Sequence, residues 1–143
     1  MTKRDGACLC GAVRIAGDFD DTLQACHCGM CQTWTGGGPL YAVRVKGDLQ
    51  ITGLEATQSY CASKWGERVF CSTCGANLWW KMQGKPVSFV APGLFAGQGG
   101  LTLSEEIFVD HRAAWMAEAP GASQSTEADE KAKLEAYLKG QNT

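Results

Sequence analysis

No run in this chain approaches the ~20 apolar residues that a membrane-spanning helix needs. Its start, Met1-Thr2-Lys3-Arg4-Asp5, lacks the apolar centre of a secretory signal. Neither sign of charge dominates: thirteen Lys and Arg stand against fifteen Asp and Glu, for a net charge of −2. That balance argues against a broad basic footprint, so nucleic acid is not the expected partner. Internal repeats and low-complexity tracts are missing as well. At 143 residues the chain is long enough for one domain with a core and too short for two. These absences predict a cytoplasmic, reducing setting and no membrane association.

What the chain does have is thiol and glycine: eight Cys and eighteen Gly. In a reducing compartment, cysteines read as metal ligands before disulfides. They are densest in Cys26-His27-Cys28-Gly29-Met30-Cys31. In an extended segment side chains alternate faces, so Cys26 and Cys28 point the same way. A positive φ at Gly29 would make a tight turn and bring Cys31 back to the same point. Three sulfurs converging there suit a tetrahedral zinc whose fourth position is free. His27, between two ligands, points away from the metal, toward a supporting or a substrate-facing role.

Cys8, Cys10, Cys71 and Cys74 form a C-x-C and a C-x-x-C pair, each followed by glycine. Together they make a complete four-thiolate set, which leaves no position for substrate and reads as a structural zinc. Cys61 is left over. It is either a fourth ligand that closes the Cys26, Cys28, Cys31 site or a buried free thiol. Two zinc ions per chain is the expectation. A three-thiolate shell donates strongly, so an open zinc there activates water poorly and holds an incoming thiol as thiolate well.

Short alternating segments predict strands near residues 12–16, 22–25, 40–46, 49–51, 57–61, 67–71, 77–80, 87–91 and 107–109. Gly17-Asp18 to Asp21 and Gly47-Asp48 read as turns, the second making a hairpin. Residues 32–38 read as a flexible glycine loop beside the metal. Residues 120–125 read as a linker, and Thr126 as the cap of a helix over 127–138. In that helix Leu134, Tyr137 and Leu138 form a narrow stripe of the kind that docks. The class is therefore mainly β, with a zinc-binding domain over 1–118 and a linker and C-terminal helix over 119–143. Of five tryptophans, Trp34 is the one placed beside the candidate site. Arg44, Lys64 and Arg68 read as scattered exposed cations by default, with binding of a carboxylate-bearing ligand as the alternative, and His111 as an exposed side chain.

Three ordered motifs carry a family resemblance. Gly6-Ala7-Cys8-Leu9-Cys10-Gly11-Ala12-Val13, the Cys26–Cys31 stretch, and Arg68-Val69-Phe70-Cys71-Ser72-Thr73-Cys74-Gly75 resemble the glutathione-dependent formaldehyde-activating enzyme / centromere protein V family. Ile107-Phe108-Val109 followed by Trp115 is similar to the family's closing segment. The resemblance implies a β-tent fold of small antiparallel sheets. It implies a structural zinc at Cys8, Cys10, Cys71 and Cys74 and a catalytic zinc at Cys26, Cys28 and Cys31. It also implies carbon–sulfur lyase chemistry, interconverting glutathione and formaldehyde with S-hydroxymethylglutathione. Two positions depart from the family's usual pattern: Ala62 replaces a serine after Tyr60, and Glu106 stands where histidine is frequent.

Two functions follow. One is a zinc-dependent carbon–sulfur lyase acting on a thiol–aldehyde adduct, with a small thiol such as glutathione as partner. The other is a non-enzymatic zinc module that binds a partner. An open second site favours the lyase and a closed one the module.

Overall fold

The computed structural model describes residues 1–95, 97 and 99–141 and has nine strands among them. The stretches at 12–16 and 22–25 merge into one strand, those at 40–46 and 49–51 into another, and two strands, at 2–7 and 123–125, are ones the alternation does not announce. The chain divides into two compact units, Met1–Leu23 with Ala42–Thr102, and Gln24–Tyr41 with Leu103–Thr143.

In the first unit β1 (Thr2–Ala7) runs antiparallel to the start of β2 (Arg14–Cys26), from Thr2 opposite Phe19 to Ala7 opposite Arg14. The remaining strands are β3 (Leu40–Thr52), β4 (Thr57–Tyr60), β5 (Gly66–Cys71), β6 (Asn77–Met82) and β7 (Phe89–Val90). They are hydrogen-bonded in the order β4-β5-β6-β7-β3-β2. Val13, Ile15 and Phe19 lie on one face of the chain by the two-residue period of a strand. They are fully buried with Val43, Leu78 and Val90, and this face is the core. The expected strands at 57–61 and 67–71 form as β4 and β5 and pair antiparallel, with Thr57 opposite Cys71 and Tyr60 opposite Arg68, while the hairpin expected across Gly47-Asp48 is instead one strand, β3.

The two Gly-Asp pairs are not turns. β2 and β3 are continuous through them. A Cβ on Gly17 would lie 2.4 Å from the Asp48 carbonyl oxygen, and one on Gly47 would lie 2.9 Å from Asp18 Oδ2. Each glycine is there because the opposing strand comes too close for a side chain, which sequence alone does not separate from turn chemistry. Arg68 also departs from expectation, being buried.

The second unit holds the end of β2, then α1 (Gly29–Thr35), most of β8 (Thr102–Ile107), β9 (Ser123–Ser125) and α2 (Glu127–Gln141). The order of strands continues from β2 to β8 and β9. β9 lies in the stretch whose composition reads as a linker, and it pairs parallel with β8, Glu105 opposite Ser123 and Ile107 opposite Ser125. The last long strand ends at Ile107, not 109. Phe108 takes a left-handed φ of 56° and starts a short 3-10 turn, Val109–His111.

Thr126 caps α2 as predicted. Its Oγ1 accepts from Asp129 N at 3.2 Å, and Asp129 Oδ2 accepts from Thr126 N at 2.9 Å. Of the stripe on α2, Tyr137 and Leu138 are exposed and Leu134 is half-buried. No helix among the described residues is long and apolar enough to cross a membrane.

Candidate metal centres

In the first unit Cys8 and Cys10 follow β1, Cys71 ends β5, and Cys74 lies in the turn before β6. Their four Sγ atoms lie within 4.8 Å of one another. Cys8 to Cys10 is 3.6 Å, and Cys10 to Cys71 is 3.7 Å. A tetrahedral zinc with bonds of ~2.3 Å to sulfur has sulfur–sulfur edges of ~3.8 Å, so the set fits that ion.

The two turns are built alike. Cys8 N donates to Val13 O and Gly11 N to Cys8 O, both at 3.0 Å. Cys71 N donates to Ala76 O at 2.9 Å and Gly75 N to Cys71 O at 2.8 Å. Gly11 and Gly75 close them with φ of 78° and 77°, a conformation a Cβ disfavours.

The thiols share charge unequally. Backbone N–H groups of Ala76 and Cys10 hold Cys74 low, at about 6. An N–H from Ala12 acts the same way on Cys10, but burial and the neighbouring thiols Cys8, Cys71 and Cys74 push it up to about 11. Without a cation the group resists full ionisation, which is what a bound metal would reverse.

In the second unit Cys26 ends β2 and Cys28 is the N-cap of α1, its Sγ accepting from Cys31 N at 3.3 Å. The turn between them comes from the helix start. Gly29 is its first residue and does not have a positive φ. The expected loop at 32–38 is therefore helical as far as Thr35, and only 36–38 is glycine loop. The Sγ atoms of Cys26, Cys28 and Cys31 lie within 4.8 Å of one another. Cys28 and Cys31, then burial, drive the Cys26 thiol strongly upward, so this group too resists a third charge on its own. His27 is not among these ligand atoms, and exposed Cys61, in the first unit, belongs to neither group.

Residues 3–111 match the glutathione-dependent formaldehyde-activating enzyme family. The chain belongs to that family. An uncharacterized lyase of Schizosaccharomyces pombe is 28% identical over 114 residues, covering 78% of this chain and 82% of the relative. A Rhodobacter sphaeroides protein of known crystal structure, 23% identical, superposes with a TM-score of 0.54 over 70% of this chain and 99% of its own. At that identity the likeness concerns the fold alone.

Around the three thiols, this family member has polar contacts that sequence reasoning missed. His27 is fully buried, so the substrate-facing role is not the one its placement favours. Its N donates to Ile107 O at 3.0 Å, and its carbonyl accepts from Gln32 Nε2 at 2.7 Å. Its ring Nε2 is 2.8 Å from Glu106 Oε1. Burial works against the charge on Glu106, but the Ala119 N–H, Gln124, His27 and Arg112 outweigh it and hold the carboxyl at about 2. An ionised carboxylate only accepts, so the ring proton sits on Nε2. His27 Nδ1 is buried with no hydrogen-bond partner among the described residues.

Nothing in the spacing of Glu106, Gln124 or Gln32 announces these contacts; only the departure at position 106 pointed there. Trp34 is half-buried in α1, and Trp115 is 75% exposed, its indole 4.0 Å from where a Cβ on Gly37 would be. Exposed His111 pairs with Glu127 at 3.0 Å, with Asp110 beside it. A groove of about 570 Å³ in the first unit is lined by Lys3, Arg4, Asp18, Asp48, Gln50 and Phe95 among others, with no cysteine.

Proposed function

We propose that this protein is a zinc-dependent carbon–sulfur lyase acting on a thiol–aldehyde adduct. Glutathione and formaldehyde are the pair to which the family description points. The observation that carries the reading is the three-thiol group at the start of α1, inside the matched residues, with no fourth cysteine gathered to it.

Cys8, Cys10, Cys71 and Cys74 would hold a structural zinc, and Cys26, Cys28 and Cys31 a second one. When bound, the second zinc supplies a position at which a substrate sulfur is favoured as thiolate. The chain's own part is to present the three sulfurs in fixed directions. β2 carries Cys26, and the first turn of α1 carries Cys28 and Cys31. Gln32 ties the helix back through His27 O and through His111 O at 2.6 Å.

In the reaction the bond between sulfur and the hydroxymethyl carbon breaks, and its electron pair stays on sulfur. The hydroxyl loses its proton as the carbonyl forms, and the thiol takes a proton on release. The reverse direction joins thiol and aldehyde. A reducing, cytoplasmic setting suits a protein whose described cysteines form no disulfide.

The test uses cobalt-substituted protein titrated with glutathione and with simpler thiols, followed by absorbance. Formation of the glutathione–formaldehyde adduct is measured alongside by NMR exchange. A thiol-dependent spectral change that disappears in Cys28→Ser, together with faster exchange, supports the lyase. Full metal occupancy with no thiol response rejects it in favour of a partner-binding zinc module.

A further inference from the structure

The reaction above makes no use of Glu106, yet this carboxylate is 1% exposed and takes four hydrogen bonds. Oε1 accepts from His27 Nε2 at 2.8 Å. Oε2 accepts from Arg112 at 3.0 Å, Ala119 N at 3.0 Å and Gln124 Nε2 at 2.9 Å. A carboxylate offers about four lone-pair sites, so the group is saturated. Three of those donors lie beyond residue 111, where the family match ends.

We propose that Glu106 is a positioning residue that makes residues 112–125 part of the second cysteine centre, by fixing the ring of His27 and with it the backbone that carries Cys26 and Cys28. His27 is held at three points, its N–H, its carbonyl and its ring, and the Glu106 contact is the one that reaches the C-terminal segment. The ring is fully buried, so its partners are protein groups rather than bulk solvent. Removing the carboxylate strands four donors at once, which a packed site relieves only by moving. This inference rests on the reading that the three thiols hold a metal.

The experiment uses the full zinc-loaded chain as wild type, Glu106→Ala and Glu106→Gln. Competition with a chromophoric chelator gives the affinity of each zinc, and imidazole ¹⁵N shifts give the tautomer of His27. Glu106→Ala is expected to weaken one of the two zinc ions by about 10–100-fold, as loss of a partner behind a ligand does, and to leave the other unchanged. In Glu106→Gln the amide oxygen serves the three C-terminal donors. Its NH₂ then faces Nε2, so the ring proton moves to Nδ1, a signature that loss of general stability does not produce.

Both zinc affinities staying within twofold in Glu106→Ala would overturn the proposal, as would a proton that stays on Nε2 in Glu106→Gln. If Glu106→Ala does not fold, the tautomer and zinc affinities of Glu106→Gln decide. A wild type that binds a single zinc overturns this inference and the two-zinc reading together, whereas two zinc ions indifferent to both substitutions overturn this inference alone.

Discussion

Cys10 meets Cys71 across 61 residues, whereas Cys26, Cys28 and Cys31 meet within the last residue of β2 and the first turn of α1. The side chain is the same and the mechanical consequence differs. The first group joins the turn after β1 to the turn after β5, so a metal bound there would hold distant parts of the first unit together. A metal on the second would constrain only a few neighbouring residues.

The largest effect expected from this contrast is in Cys71→Ser. Structural zinc in small domains is worth on the order of ten kcal/mol, so losing one ligand should cost several. Denaturant melts of the zinc-loaded protein measure it, and an unchanged midpoint would erase the distinction between the two groups.

Gly17→Ala probes the same unit without touching metal. The new methyl would meet backbone at 2.4 Å, and overpacking of this kind costs about 1–3 kcal/mol. Gly29→Ala is the counterpart in the second unit. Nothing lies within 4 Å of that Cβ, so helix α1 should be unharmed or steadier by up to about 1 kcal/mol. If both substitutions gave equal losses, the contrast between a tightly crossed first unit and an open helix start would fail.

Acid sharpens the comparison from the second unit. A carboxylate with a depressed pKa stabilises the fold above its unfolded value and loses that contribution as pH falls through its folded one. For Glu106 the window runs from about 4.5 down to about 2. The stability gap between wild type and Glu106→Gln should therefore be full at neutral pH and close within that window. A gap that persists at pH 2 would show that the charge on Glu106 is not what stabilises.

Cys28→Ser should be nearly silent in stability, within about 1 kcal/mol, because serine is itself a favoured N-cap and can accept from Cys31 N. Thiol binding should nonetheless vanish, as read by the cobalt titration. Smallest of all is Cys61→Ser, which should change neither stability nor metal content. Loss of the second metal in that variant would make Cys61 a ligand and close the site.

The grouping of thiols was legible because C-x-C, C-x-x-C and the Cys26–Cys31 triplet encode convergence in their spacing, and the structure gathers the same four and the same three. The strands β4 and β5 and the Thr126 cap were legible for a similar reason, since each follows a local rule. What sequence hid was non-local. Gly17 and Gly47 look like turn residues until the opposing strand is known. Seven-residue α1 is too short to show helical periodicity, and its flanking glycines argue for loop. Glu106 gives no sign of its partners, which lie 79 residues before it at His27 and up to 18 after it at Gln124. Parallel β9 has only three residues, too few for alternation to register.

The unequal spans of the two groups also set an order in time. Loop-closure entropy grows as 1.5RT ln n, so bringing Cys10 to Cys71, against Cys28 to Cys31, costs an unfolded chain roughly 2.7 kcal/mol more. In a chain leaving the ribosome, the local triad can meet first. The distant set exists only after β1, β2, β5 and β6 have found their neighbours. Metal captured there would therefore record that the first unit has finished folding, whereas the local triad can meet before it, its full affinity waiting on the contact between His27 and Glu106.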